Sequence, residues 1–136
     1  MKVGLKIISL SFFAILGFNY IAKAQRENLD TIYDKVEIEA TFPGGPSAWS
    51  EYISNKLGKT LSDFGDKDYG TCIVRFIVDQ NGKISNVEAT TMKDSKLAKY
   101  TIKAIEKGPD WIPAQKDGKM VKAYRLQPVT LNPPDK

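Results

Sequence analysis

Residues 70–89 read GTCIVRFIVDQNGKISNVEA, and this stretch decides the fold. One set of alternate residues is apolar throughout: Cys72, Val74, Phe76 and Val78. That period of two predicts a β-strand, and the half-apolar residues between them predict partial cover on its second face. Asn81-Gly82 is a strong hairpin signal, since both residues tolerate positive φ. In the returning strand, 83–91, Ile84 is out of phase with Val87, which predicts a β-bulge.

Two helices flank this hairpin in the sequence. Upstream, residues 42–46 (FPGGP) predict a turn, and Pro46 suits the first position of a helix. The apolar stripe of that helix is Trp49, Tyr52, Ile53 and Leu57, with Gly58 as its end. Downstream, Asp94 or Ser95 is expected to cap a second helix that Gly108-Pro109 stops. Its predicted inner face is Leu97, Ala98, Thr101, Ile102 and Ile105.

The last apolar run, Val121 to Leu131, is strand-like but contains Pro128. Proline donates no backbone hydrogen bond, so this strand is expected at a sheet edge or with a bulge. The sequence therefore predicts an α+β fold: a small antiparallel sheet, made of the hairpin and a C-terminal edge strand, packed against two helices. The expected organisation is a short N-terminal segment at 25–41, one domain at 42–131, and a disordered tail at 132–136.

The first 24 residues have the pattern of a signal peptide. Lys2 and Lys6 precede an apolar stretch at 7–21, and Ala22-Lys23-Ala24 is a small-x-small cleavage site. The stretch is shorter than the roughly 20 mainly apolar residues of a spanning helix. We expect cleavage before Gln25 and a periplasmic or secreted protein. An uncleaved membrane anchor is the alternative interpretation.

Composition excludes several classes of function. The chain of 136 residues has no histidine and one cysteine, which excludes Ser-His, Cys-His and His-metal sites and an intrachain disulfide. Removing residues 1–24 takes away three lysines and no acid, so the net charge falls from +4 to +1. A nucleic-acid partner loses its electrostatic support. Nothing in the sequence calls for a cofactor or a metal, and we expect no enzymatic activity.

The spacing of several motifs resembles the C-terminal domain of TonB, in the short form that lacks a proline-rich spacer. The matching elements are the Phe42-Pro43-Gly44-Gly45 turn, the 70–87 hairpin, Trp111-Ile112-Pro113-Ala114, and Gly118-Lys119-x-Val121. The resemblance implies a non-enzymatic, envelope-located binding module. Residues 25–41 span roughly 60 Å even when extended at about 3.3–3.6 Å per residue, so classical energy transduction is not expected. A membrane-anchored TonB-like component of outer-membrane transport is the alternative function.

In the family, an extended segment of a receptor adds as a strand beside the last strand of the sheet. Here the corresponding run is Lys122, Ala123, Tyr124, Arg125, Leu126 and Gln127. The resemblance implies an envelope protein as partner, such as a TonB-dependent outer-membrane receptor, and a homodimer through the same edge is an open alternative. We expect Arg125 and Tyr124 to contribute side chains. The alternative is that Tyr124 and Leu126 are core residues, and for Leu126 it is the favoured one.

Several other features have a structural interpretation as well as a functional one. Trp111 suits packing under a loop better than a ligand platform. Gly44-Gly45 suits a turn better than an anion site, and buried Cys72 suits the core better than a nucleophile. The acidic cluster is interpreted as a solvated loop and consists of Asp63, Asp66 and Asp68. The basic cluster is interpreted as a solvated helix face and consists of Lys96, Lys99, Lys103 and Lys107.

Overall fold

The computed structural model describes residues 30–135. The chain divides into two units, 1–31 and 32–136, so the description covers almost all of the second unit. The predicted signal peptide and its cleavage site lie outside the described residues.

The second unit contains two helices and five strands. The helices are α1 (Gly45–Gly58) and α2 (Lys96–Glu106). The strands are β1 (Gly70–Val78), β2 (Ile84–Ala89), β3 (Ala114–Lys116), β4 (Lys119–Val121) and β5 (Ala123–Leu131). Two short 3-10 turns, Leu61–Asp63 and Asp66–Asp68, lie in the segment predicted as a loop. This composition confirms the predicted α+β class.

A three-stranded antiparallel sheet in the order β2-β1-β5 is the centre of the fold. β1 pairs with β5 along its whole length, from Gly70 opposite Leu131 to Val78 opposite Ala123. β1 pairs with β2 through a register shift at Asn86, whose φ is 52°. The shift confirms the predicted bulge, and β5 lies at the sheet edge as Pro128 required.

The core lies between the helices and one face of the sheet. The alternate β1 residues predicted to be buried are all fully covered, and Ile77 on the second face is covered too. Helix α1 contributes Trp49, Ile53 and Leu57, and ends at Gly58 as predicted. Helix α2 begins at Ser95, whose hydroxyl accepts a hydrogen bond from the Ala98 N–H at 3.1 Å. The predicted cap and the buried face of α2 are thereby confirmed, except that Ile102 is only half-buried.

Asp68 has a structural role that the sequence did not reveal. Its side chain is 1% exposed and accepts hydrogen bonds from the Lys96 N–H at 2.7 Å and the Gly65 N–H at 2.9 Å. These donors hold the pKa of the Asp68 carboxyl below its ordinary value of 3.8. The expectation that all three aspartates lie in a solvated loop is therefore wrong for Asp68.

The single strand predicted from Val121 to Leu131 is divided in the structure between two strands, and each pairs with a different neighbouring strand. Val121 ends β4 and pairs with Ala114 of β3, whereas Ala123 begins β5 and pairs with Val78. The β3–β4 hairpin turns at Asp117-Gly118, where both residues have positive φ. The two three-residue strands beside this turn were not predicted from the sequence.

Candidate partner-binding edge

β5 has one edge paired with β1 and one edge that faces away from the sheet. The direction of its backbone groups follows from two hydrogen bonds at its start: the Tyr33 N–H donates to the Lys122 carbonyl (2.9 Å), and the Tyr124 N–H donates to the Tyr33 carbonyl (3.0 Å). Backbone groups alternate in direction along a strand. Leu126, Pro128 and Thr130 therefore also point their backbone groups outward, and the residues between them point toward β1.

The beginning of this outer edge is already occupied by the chain itself. Residues 33–41, termed the strap, form a parallel bridge to Ala123 through Tyr33. The strap then forms antiparallel bridges from Ile38 to Gln115 and from Thr41 to Ile112. Two residues of the predicted binding run therefore already bond to the strap through outward backbone groups. These groups are the Lys122 carbonyl and the Tyr124 N–H. No sequence pattern predicted this contact, because the bridges are made by backbone atoms.

The rest of the outer edge is open. Among residues 30–135, no hydrogen-bond partner is found for the Leu126 N–H or carbonyl or for the Thr130 N–H. Pro128 has no N–H to donate, and its carbonyl accepts a bond from the Gln127 side chain at 3.3 Å. The open stretch of the edge therefore runs from the Tyr124 carbonyl to Thr130.

The side chains of β5 divide between two faces. Ala123, Arg125 and Gln127 share the helix-covered face, since Arg125 lies opposite buried Phe76. Tyr124 and Leu126 lie on the other face, as the alternation predicted. The favoured interpretation of Leu126 as a core residue is wrong, because 53% of it is exposed.

Tyr124 is half-buried beneath a charged group rather than in the apolar core. The Arg75 guanidinium lies 3.6 Å from the centre of its ring, which is a cation–π contact. Arg75 in turn lies 3.7 Å from the carboxylates of Asp34 and Glu88. This network holds the ring on the face of the sheet away from the helices, with Arg75 against one side of the ring.

Arg125 links β5 to the strap. One terminal nitrogen of its guanidinium pairs with the Glu39 carboxylate, and the other donates to the Gln127 side-chain oxygen at 3.2 Å. Its Nε is buried and has no acceptor among the described residues. The charge of Arg125 is therefore used within the chain, and its stem forms part of the surface beside the edge.

A cleft lies beside the open edge on the helix-covered face. It has a volume of about 80 Å³. Its lining includes Thr41, Phe42, Pro46, Trp49, Arg125 and Gln127. Trp111 also lines it but is itself only 4% exposed, with its ring 4.9 Å from Phe76 and 5.5 Å from Trp49, so the packing interpretation of Trp111 is confirmed.

The remaining candidate residues have structural explanations. Gly44 has a φ of 89° and forms the turn into α1, in which the Gly45 N–H donates to the Phe42 carbonyl. Cys72 is fully buried, and burial raises the pKa of its thiol, so the nucleophilic thiolate is disfavoured. The four lysines of the α2 run are exposed, as expected.

Two kinds of feature are absent from residues 30–135. No helix in this part of the chain is long and apolar enough to cross a membrane. Nor do its acidic and cysteine side chains form any group of three or more that is placed to hold a metal ion.

The α+β fold leaves part of the outer edge of β5 open, and an open sheet edge is the feature that strand-adding interaction domains use. Residues 66–132 match the family described as Gram-negative bacterial TonB protein C-terminal, and this part of the chain belongs to that family. The family consists of envelope-associated, non-enzymatic interaction domains. No curated protein and no solved structure matches the chain. The resemblance noted in the sequence is thereby confirmed.

Proposed function

We propose that this protein is an exported, non-enzymatic binding module of the bacterial envelope that adds an extended partner segment as a fourth strand to the outer edge of β5. The observation that carries the proposal is the open stretch from the Tyr124 carbonyl to Thr130. An edge strand with unpaired N–H and carbonyl groups is a template for strand addition. Family membership points to the same mode of binding.

The contacts of the strap support a docking stretch that is narrower than the run from Lys122 to Gln127. The strap already engages the outward groups of Lys122 and the Tyr124 N–H. We therefore propose that backbone pairing begins at the Tyr124 carbonyl and continues past Leu126 to Thr130. From the predicted run, Arg125 and Gln127 contribute side chains on the helix-covered face, and Ala123 serves as core.

The proposed partner is an envelope protein with an extended segment, such as a TonB-dependent outer-membrane receptor. The proposal includes cleavage before Gln25, which releases the domain into the periplasm. An intact mass of the natural protein that begins at Gln25 supports release. A mass that includes residues 1–24 supports the anchored alternative instead.

Photo-crosslinking in the native cell tests the docking edge. A photoreactive residue replaces Thr130, which is exposed beside the open edge, and a control probe replaces Lys103 on the exposed face of α2. We expect an outer-membrane receptor to be captured from position 130 and not from position 103. Leu126→Pro in the same chain removes one outward N–H, and we expect it to abolish that capture.

Two results would contradict the proposal. Capture that survives Leu126→Pro unchanged means that the segment does not pair with β5. A crosslink between two copies of this chain means that the edge serves a homodimer.

A further inference from the structure

We propose that the cleft beside β5 receives one valine- or isoleucine-sized side chain of the added segment and so selects among partners. This inference rests on the proposed strand addition and deepens it. Backbone pairing alone accepts almost any sequence, whereas a side-chain cleft distinguishes one from another.

The position of the cleft follows from strand geometry. Residues that lie directly opposite one another on neighbouring strands project their side chains to the same face of the sheet. Arg125 and Gln127 project to the helix-covered face, and both line the cleft. A partner residue opposite either of them therefore points into the cleft, while its two neighbours point to the other face.

The volume of the cleft sets the size of the occupant. About 80 Å³ is several times the roughly 10–15 Å³ that one water needs, and about half of the roughly 150 Å³ cavity that holds benzene. A branched aliphatic side chain fits within this space, whereas a phenyl or indole ring would extend beyond it. β-branched residues also favour the extended conformation of an added strand.

The walls of the cleft are fixed by ring contacts. The centre of the Phe42 ring lies 5.5 Å from that of Trp49 and 5.8 Å from that of Trp111. Trp49 and Trp111 are 5.5 Å apart, so the three rings brace one another. Closely packed aromatic walls do not move apart to admit a larger side chain without loss of these contacts.

The charge balance of the cleft disfavours an acidic occupant. Arg125 is the cation at the cleft, but Glu39 and Gln127 already occupy its two terminal nitrogens. A partner carboxylate could accept a hydrogen bond from the unpartnered Nε of Arg125, but beside the Glu39 carboxylate it would bring a second negative charge to a single cation, which is costly to bury. An aliphatic side chain meets the apolar rings without that penalty.

The test uses peptides as probes. A phage-displayed library of random ten-residue peptides is selected on the purified full-length protein, and peptides that lose binding to Leu126→Pro are kept as edge-dependent. Their dissociation constants are then measured with Thr41→Phe, which fills the cleft. Thr71→Phe is the matched control, because Thr71 is exposed on the opposite face of the sheet. Thermal melts establish that both variants fold.

We expect one peptide position to select valine or isoleucine. Thr41→Phe should weaken such a peptide about tenfold, which corresponds to the loss of one buried valine side chain. Thr71→Phe should change its affinity less than twofold. Glycine at the selected peptide position should remove the difference between wild type and Thr41→Phe.

The outcomes separate the two proposals. Edge-dependent peptides with no preferred residue, or with equal affinity for wild type and Thr41→Phe, overturn the cleft and leave strand addition standing. A library that yields no edge-dependent peptide contradicts strand addition, and the cleft proposal falls with it.

Discussion

The turn between β1 and β2 approaches the chain at Trp111 so closely that position 82 has no room for a side chain. Gly82 has a φ of 82°, and the Trp111 N–H donates to its carbonyl at 2.9 Å. A Cβ atom at this position would lie 2.1 Å from the Trp111 carbonyl oxygen. Because that oxygen belongs to the backbone, the clash is relieved only if the turn or the Trp111 segment shifts.

The expected cost of Gly82→Ala has two parts. The left-handed backbone conformation costs a residue with a Cβ about 1–2 kcal/mol. Overpacking against a fixed group typically costs another 1–3 kcal/mol. Their sum of about 2–5 kcal/mol is a large part of the roughly 5–15 kcal/mol that holds an ordinary domain folded.

Gly118→Ala separates these two parts. Gly118 also has a positive φ, 75°, but a Cβ there meets nothing within 4 Å. We expect it to cost only the backbone part, about 1–2 kcal/mol. Urea denaturation followed by tryptophan fluorescence reports the difference, since Trp49 and Trp111 are both buried. Equal free energies of unfolding for Gly82→Ala and Gly118→Ala would refute the close approach to Trp111.

Three further predictions concern the edge, the buried Asp68 carboxylate beside the start of α2, and the buried thiol. Leu126→Pro removes an outward N–H and should lower the free energy of unfolding by about 1 kcal/mol or less. Arg125→Pro removes an N–H that faces β1 and should lower it by about 2 kcal/mol or more, as measured by urea denaturation. Equal losses would mean that the assigned backbone directions are wrong. Because its folded-state pKa is depressed, Asp68 adds stability above its ordinary pKa of 3.8, and this contribution disappears as the pH falls through the folded-state value. Asp68→Asn should therefore be less stable at neutral pH and lose less stability on acidification, as thermal melts across the acid range will show; parallel pH profiles would contradict this. The buried Cys72 thiol should react with a thiol reagent only when the domain unfolds. Its labelling rate should therefore rise in the destabilised Gly82→Ala variant. Labelling of the wild type as fast as that of an unfolded cysteine peptide would disprove the burial of Cys72.

The sequence predicted those parts of the fold that hydrophobic periodicity specifies. The alternation from Cys72 to Val78 gave the central strand, and the phase change between Ile84 and Val87 gave the bulge. In β5 both alternate sets are half apolar, so periodicity alone did not show that Leu126 is exposed. Its face is decided by register, because Arg125 lies opposite Phe76.

The parts that sequence reasoning missed depend on backbone contacts between distant segments. Strands β3 and β4 have only three residues each, too few for a period to appear. The strap is held to β5 by the backbone of Tyr33, for which side-chain chemistry gives no signal. The run Lys122–Gln127 was accordingly predicted as one binding edge, although the strap engages its beginning.

The outward-facing Pro128 and the strap together have a consequence for how long a partner stays bound. They leave about four backbone groups on the edge that can pair, at roughly 1 kcal/mol each. Even before the free-energy cost of association is subtracted, such a total corresponds to a dissociation constant of about 1 mM, so the backbone alone binds no more tightly than this. With an ordinary association rate of about 10⁵–10⁷ M⁻¹s⁻¹, the backbone alone holds a segment for at most about 0.1–10 ms. Under the proposed strand addition, this edge would engage and release a segment repeatedly, and a longer residence time has to come from the side chains that a particular partner brings.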